Sequence, residues 1–106
     1  MLNVDVFMKS APQDEKASYF LALNLYNQGR INAAIEVLKL APAKDLQYES
    51  NYLLGELYLA ANDLMQAAKS FELALAINET YEAYFQLGLI FSHIQKYENA
   101  QIYFEK

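Results

Sequence analysis

The side chains that could carry out chemistry are few in this sequence, and their spacing matches no catalytic or metal-binding motif. His93 is the one imidazole, cysteine is absent, and the three glycines form no phosphate-binding loop. Glu56 and His93 could share a proton if both faced one surface, although a solvated histidine is the commoner situation in a chain without a nucleophile nearby. We therefore expect no enzymatic activity, no metal site and no cofactor.

Charge and hydropathy narrow the classes of partner. The chain carries 13 acidic and 8 basic residues, a net charge of −5 that would repel nucleic acids and anionic membranes. The longest apolar run, Leu57 to Ala61, is far shorter than the roughly 20 residues of a membrane span, and the N-terminus lacks the pattern of a signal peptide. We expect neither nucleic-acid binding nor membrane insertion, and a soluble, cytoplasmic chain.

Length and composition predict one small folded domain. A chain of 106 residues with 55 % hydrophobic content can form a core, and no stretch rich in Pro, Gly or Ser indicates a linker. Because the chain has no cysteine, it can form no disulfide, and packing alone must hold the fold.

The sequence repeats itself with a period of 33 residues and without a gap. Equivalent positions are Leu21, Leu54 and Leu87; Ala22, Gly55 and Gly88; Leu25, Tyr58 and Phe91; Gly29, Asn62 and Gln95; Ile31, Leu64 and Tyr97; Ala34, Ala67 and Ala100; and Leu38, Phe71 and Phe104. The repeats define units one, two and three, which span about 15–47, 48–80 and 81–106.

The spacing inside each unit predicts a pair of antiparallel helices. Apolar residues four apart, such as Leu21 and Leu25, lie on one face of a helix, and each unit has two such stretches. Gly29, Asn62 or Gln95 stands between them. Gly and Asn readily adopt the left-handed conformation that ends a helix, whereas Gln95 is a poorer stop. We expect six helices in three hairpins, with the third turn the least rigid.

Capping residues support these boundaries. Residues of the right type and position for helix N-caps are Ser10, with Gln13 as its partner; Asp63, with Gln66; and Thr80. They predict that the first helix begins near Ala11 and that the first helix of unit three covers residues 81–94. Pro42 separates units one and two, because a helix cannot continue through proline without losing a hydrogen bond.

An N-terminal arm, residues 1–10, is predicted to precede a repeat domain of residues 11–106. Leu2, Val4 and Val6 alternate with polar residues, as in an extended segment with one apolar side. The arm is either a frayed terminus that leans on the first hairpin or a segment that lies in a groove, its own or a neighbour's.

Units two and three share aromatic, aliphatic and small residues at matched positions. They are Tyr52, Leu53, Leu54, Gly55, Glu56, Leu57, Tyr58, Ala67 and Phe71 in unit two, and Tyr84, Phe85, Gln86, Leu87, Gly88, Phe91, Tyr97, Ala100 and Phe104 in unit three. This pattern resembles the tetratricopeptide repeat, and the resemblance covers Glu15 to Lys106. It implies an all-α fold, a right-handed superhelix of three antiparallel helix hairpins.

The chain also departs from that family's pattern. Ser18 and Asn51 stand where an aromatic residue is usual, Glu79 stands at the usual proline position, and Tyr84 alone keeps the aromatic. Ankyrin repeats share the 33-residue length, but their sequence motif and glycine-rich loop are absent. Since a solenoid needs covered ends and no capping helix precedes Lys106, we expect a fragment of a longer array or a last face covered by a neighbour.

The resemblance implies that the first helix of each unit lines a concave groove. The implied groove positions are Tyr19, Leu23, Tyr26 and Asn27 in unit one; Glu49, Tyr52, Glu56 and Leu59 in unit two; and Glu82, Phe85, Leu89, Ser92 and His93 in unit three. Aromatic anchors and glutamates would suit a peptide or helix segment with apolar anchors and basic flanks. The predicted function is a protein-binding module, adaptor or chaperone-like.

Other interpretations remain open. Aromatic residues at helical spacing are often core residues rather than binding residues. The clamp by which one subclass of the family holds acidic peptide tails is argued against, since the matching positions include Tyr52, Glu56 and Gln86 and no basic residue. The apolar groove is closer to that of small repeat chaperones for secretion substrates. The alternative function is an architectural segment that forms a homodimer or stacks end to end, supported by the uncapped last hairpin and the apolar arm.

Overall fold

The computed structural model describes residues 15–40 and 46–105, and these residues form five helices and no strand. The helices are α1 (Glu15–Asn27), α2 (Ile31–Leu40), α3 (Gln47–Ala60), α4 (Leu64–Ile77) and α5 (Tyr81–Glu105). The predicted all-α repeat fold is confirmed, while the right-handed superhelix stays a prediction. The predicted arm at residues 1–10, the helix start near Ala11 and the break at Pro42 lie outside the described residues.

Two turns join α1 to α2 and α3 to α4, and both use a left-handed residue. Gly29 has φ 78° and Asn62 has φ 62°, which confirms that these residues end the first helices of units one and two. In the first turn, the backbone N–H of Arg30 donates to the carbonyl of Leu25 at 2.9 Å; in the second, Asp63 donates to Tyr58 at 2.8 Å. These six-to-one hydrogen bonds satisfy carbonyls at the helix ends and reverse the chain.

The first core lies where α1, α2 and α3 meet. Its buried members are Leu21, Ala22, Leu25, Ala34, Val37, Leu38, Leu53 and Leu57. Since Leu53 and Leu57 belong to α3, unit two completes the core of unit one. Each hairpin thus buries its apolar face with help from the next unit, as stacked repeats do.

The second core is organised around Phe71 of α4. Its side chain is fully buried, and its ring contacts the ring of Tyr52 edge-on with centroids 5.1 Å apart. A Cβ atom placed on Gly55 of α3 would lie 2.6 Å from the Phe71 ring, so only glycine allows this approach. The identity of residue 55 therefore sets how closely α3 and α4 pack.

Side-chain hydrogen bonds hold the starts of α4 and α5. The carboxylate of Asp63 accepts from the backbone N–H of Gln66 at 3.2 Å, and the hydroxyl of Thr80 accepts from that of Ala83 at 3.2 Å. Both predicted N-caps are confirmed. Thr80 also exchanges a hydrogen bond with the Tyr48 hydroxyl, which ties the start of α5 to the start of α3.

The predicted third hairpin is wrong for the described residues. No turn forms at Gln95, and α5 continues from Tyr81 to Glu105 as one helix of 25 residues instead of ending at Ile94. Left-handed backbone costs about 1–2 kcal/mol for a residue with a Cβ, and glutamine is a good helix former. The position that Gly29 and Asn62 fill in the other units therefore propagates the helix.

The continuous α5 leaves its own first half uncovered on one side. Gly55 is buried, whereas its equivalent Gly88 is exposed. Similarly, Leu25 is fully buried and Tyr58 half-buried, while the equivalent Phe91 is 49 % exposed. Exposure at matched positions rises from unit one to unit three because, among the described residues, no second helix packs on α5 as α4 packs on α3.

The two helical glycines should respond oppositely to alanine. Gly55→Ala is expected to lower the free energy of unfolding by about 1–2 kcal/mol, because overpacking against a buried ring costs up to about 3 kcal/mol and alanine regains only about 1 kcal/mol of helix propensity. Gly88→Ala is the matched control. Since no described atom lies within 4 Å of the added Cβ, stability should rise by up to about 1 kcal/mol. Urea denaturation of dilute protein measures both, and shifts of equal sign would contradict the packing described.

Candidate peptide-binding groove

The predicted groove residues lie on α1, α3 and α5, the first helices of the three units. We call this set the groove face: Tyr19, Leu23, Tyr26 and Asn27 on α1; Tyr52, Glu56 and Leu59 on α3; and Phe85, Leu89 and His93 on α5. The structure brings several of them together in separate groups, and the groups differ in exposure and in charge.

An acidic group forms where α1 meets α3. Burial raises the pKa of the Tyr19 hydroxyl, and the negative charges of Glu49 and Glu56 raise it further. Burial also raises the pKa of the Glu56 carboxyl. Both glutamates therefore lie close enough to act on Tyr19, and Glu56 holds its charge in a partly desolvated place. A cationic side chain placed here would be attracted to both carboxylates.

The remaining residues of α1 contribute mostly to the core. Leu23 and Tyr26 are half-buried and pack against the first core. Asn27, the last residue of α1, is exposed. In unit one, Tyr26 is therefore mainly a core residue, as the alternative interpretation of the groove aromatics has it, and the same holds for Leu23.

Tyr52 connects the middle of the groove face to its last helix. Its ring packs on Phe71, and its hydroxyl accepts a hydrogen bond from the side-chain amide of Gln86 on α5 at 3.4 Å. The ring of Tyr48 lies beside it with a centroid distance of 5.9 Å. With three neighbours, Tyr52 is held in one orientation, so its exposed edge is a fixed part of the surface.

A cavity of about 300 Å³ opens between α3, α4 and α5. Its lining residues are mostly apolar: Leu59, Asn62, Leu64, Gln86, Leu89, Ile90 and His93. Three predicted site residues, Leu59, Leu89 and His93, thus meet at one place. A pocket of this size and polarity fits one large apolar side chain or a short segment rather than a whole cofactor.

A larger recess continues beyond His93 along α5. It holds about 860 Å³ and is lined by Asn62, Asp63, Leu64, Met65, His93, Ile94 and Glu98. Met65 is 60 % exposed there. The recess exists because α5 runs straight past the turn between α3 and α4.

Phe85 stands at the exposed end of the groove face. It is 52 % exposed, as is Leu89 one helical turn further on. The ring of Tyr81 stacks on Phe85 with a centroid distance of 6.2 Å. Glu82, on the same helix, is exposed. Two large apolar side chains therefore lie half in water beside an acidic residue, where a bound partner could cover them.

The groove face carries no arrangement that would bind a metal ion. Among the described residues, no three His, Asp or Glu side chains cluster as ligands would. His93 lines the recess beside Glu98, whereas Glu56 lines neither cavity. The structure therefore gives no support to proton sharing between Glu56 and His93.

Five contributors to the site were outside the predicted set. The small cavity is also lined by Gln86, Asn62, Leu64 and Ile90, and Tyr81 supports Phe85. Tyr81 precedes Phe85 by one helical turn, a spacing that could have indicated the stack. Asn62 and Leu64 lie at the turn to α4, and their part in the cavity depends on the tertiary contact between α4 and α5.

Comparison with known families identifies the repeats. The tetratricopeptide repeat family matches residues 48–81 and 81–106, more than half of the chain. The chain belongs to the tetratricopeptide repeat family. Tetratricopeptide repeats generally mediate protein–protein interactions, and this is the function class that the family match gives the chain. The comparison with curated proteins found no match. None of the helices in the described ranges is long and apolar enough to cross a membrane.

Glu56→Gln is expected to stabilise the tetratricopeptide repeats at neutral pH. Because burial raises the folded-state pKa of Glu56, the folded state binds the proton more tightly than the unfolded state. Stability therefore falls as the pH rises from the ordinary glutamate pKa through the raised value, and neutral Gln removes this loss. Urea denaturation at several pH values should show the variant gaining most above that window.

Glu49→Gln is the matched control, since it makes the same change in net charge. Glu49 lies in the first turn of α3, where a negative charge interacts favourably with the helix dipole. This variant should give no stabilisation. An equal gain in both variants would mean that net charge, and not burial of Glu56, is responsible.

Proposed function

We propose that the groove face binds a peptide or helix segment of another protein, one with apolar anchors and basic flanks. The chain would act as an adaptor or chaperone-like module. This is a finer statement than the general interaction role of tetratricopeptide repeats, and it depends on the chemistry of this groove.

The observation that carries the proposal is the pair Phe85 and Leu89. Each is 52 % exposed, and Leu89 lines the cavity of about 300 Å³ together with Leu59. An apolar anchor that entered the cavity would bury these side chains, and each fully buried large apolar side chain contributes about 1.5–3 kcal/mol. Binding energy would then concentrate at this end of the groove face, as in other hot spots.

Charge favours a basic partner over an acidic one. Glu49 and Glu56 act on Tyr19 at one end, and Glu82 lies beside Phe85 at the other. An acidic segment would face repulsion at both ends, whereas Lys or Arg in the flanks of the bound segment would be attracted. A cation beside Glu56 would also offset the cost of burying that carboxylate.

Preorganisation supports the groove face as a binding surface. The Tyr52 ring is held by Phe71, Tyr48 and Gln86 before any partner arrives. A side chain that is already fixed loses little conformational entropy on binding. The bound peptide or helix segment and the cytoplasmic location both stay predictions.

Selection from a randomised peptide library displayed on phage tests the proposal. Dilute protein should enrich sequences that carry aromatic or aliphatic anchors and a net positive charge. Synthetic versions of the enriched peptides, with Lys and Arg exchanged for Glu in a matched set, should lose affinity in fluorescence anisotropy. Enrichment of acidic peptides would contradict the proposed charge preference.

Alanine substitutions locate the binding surface on α5. Phe85→Ala and Leu89→Ala should each weaken peptide binding about tenfold or more, the loss of about 1.4 kcal/mol or more that marks a strong contact. Tyr84→Ala and Phe91→Ala are matched controls, because these residues are 54 % and 49 % exposed on a different side of the same helix. They should change the affinity less than about threefold. Equal losses in all four variants would place the binding surface elsewhere.

A further inference from the structure

A second exposed apolar surface lies on α5, next to the groove face. We call it the Gly88 face: Tyr84, Gly88 and Phe91, which follow one another at steps of four and three along the helix. Tyr84 is 54 % and Phe91 is 49 % exposed, and no described atom lies within 4 Å of a Cβ placed on Gly88. On one side of α5 the buried residues Ala83, Leu87 and Ile90 separate the Gly88 face from the groove face, whereas on the other side Gly88 lies next to Phe85, three residues before it.

Unit two shows what an equivalent surface binds. There the ring of Phe71 occupies the space over Gly55 so closely that a Cβ at residue 55 would overlap it. Phe71 stands 16 residues after Gly55, and Ala67 precedes it by one helical turn. The surface around a glycine of this type is therefore complementary to a helix that carries a small residue and an aromatic residue four positions apart.

The chain carries such a helix for the Gly88 face as well. Ala100 and Phe104 follow Gly88 at the same spacing as Ala67 and Phe71 follow Gly55. In unit two the second helix reaches its glycine because the chain reverses at Asn62. Since α5 is continuous through Gln95, residues 97–104 extend away from Gly88 of their own chain.

We propose that the Gly88 face binds residues 97–104 of a second copy of this chain. The incoming segment would take the place that α4 takes in unit two, with position 104 at Gly88 as position 71 is at Gly55. The proposed interface repeats between two copies a contact that unit two makes within one chain. Exchange of an equivalent element between copies is a known route to association, because the two surfaces are already complementary.

The geometry of α5 makes this association head-to-tail. Each residue of a helix adds about 100°, so positions 88 and 104 are separated by about 160° around a straight α5. The face that accepts and the face that donates thus point in nearly opposite directions, and two copies cannot satisfy each other's contacts at once. Such a contact builds open chains of copies rather than a closed dimer.

The two proposals are tested separately, although the two surfaces adjoin at Phe85. Phe85 stands at the position that Tyr52 occupies in unit two, so a ring over Gly88 would contact Phe85 as Phe71 contacts Tyr52. Self-association is measured without peptide, and peptide binding is measured in dilute protein. Failure of one would not imply failure of the other. The interface is about two helical turns long, which predicts weak association that depends strongly on concentration.

Sedimentation equilibrium and light scattering of the full chain test the proposal, from about 10 μM to about 1 mM, the range of weak association. The mean mass should rise with concentration beyond that of a dimer. Gly88→Leu fills the space over residue 88 with a good helix former and should remain monomeric. Phe104→Ala removes the incoming ring and should also remain monomeric. Circular dichroism checks that both variants keep the helical content of the parent.

Mixing the two variants gives the decisive result. Gly88→Leu keeps residues 97–104 as a donor, and Phe104→Ala keeps the Gly88 face as an acceptor. A one-to-one mixture should therefore form a heterodimer and stop there. A parent chain that stays monomeric to about 1 mM, a Gly88→Leu variant that associates like the parent, or a mixture that stays monomeric would overturn the proposal.

Discussion

The approach of the Phe71 ring to Gly55 is the contact on which the rest of the structure depends. It sets the separation of α3 and α4 and orients Tyr52, whose hydroxyl then meets Gln86 of α5. The second core, with Ala67, Leu87 and Ile90, gathers around the same ring. Loss of a buried phenylalanine costs about 3–5 kcal/mol, a large share of the stability of a small domain. The position of α5, and with it the cavity that Leu89 lines, follows from this one contact.

The sequence was sufficient to predict the turns and helix caps, because these depend on a few adjacent residues. Gly29 and Asn62 take left-handed backbone, and Asp63 and Thr80 cap helices, because each of these effects is decided by a residue and its immediate neighbours. The third turn failed for the same local reason. Gln95 occupies the matched position but lacks the backbone freedom of glycine, so periodicity predicted a hairpin where residue chemistry favours a continuous helix.

The candidate site was predictable only in part. Helical periodicity places Phe85 and Leu89 on a different face of α5 from Leu87 and Ile90. The first two are exposed and the last two are buried. The neighbours of Leu89 in the cavity, Gln86, Asn62 and Leu64, come from two helices and a turn, and no spacing in the sequence encodes how those elements meet. The raised pKa of Glu56 likewise depends on burial between α1 and α3, which only the packed fold reveals.

Two different surfaces of α5 result from its continuity. The groove face resembles what a tetratricopeptide repeat uses for its partners, whereas the Gly88 face is the uncovered inner side of an incomplete unit. A single residue at position 95 separates these outcomes, since a turn there would cover Gly88 from within the same chain. The course of α5 beyond Ile94 therefore determines whether Gly88 is exposed.

A distance between spin labels at residues 82 and 105 measures whether α5 is continuous. The chain has no cysteine, so cysteines introduced at Glu82 and Glu105 can be labelled cleanly, and dilution with unlabelled protein suppresses distances between copies. At 1.5 Å per residue, a continuous α5 predicts a separation of about 34 Å. A separation below about 15 Å is expected if a second helix folds back at the usual interaxial distance, and it would show that α5 is not continuous.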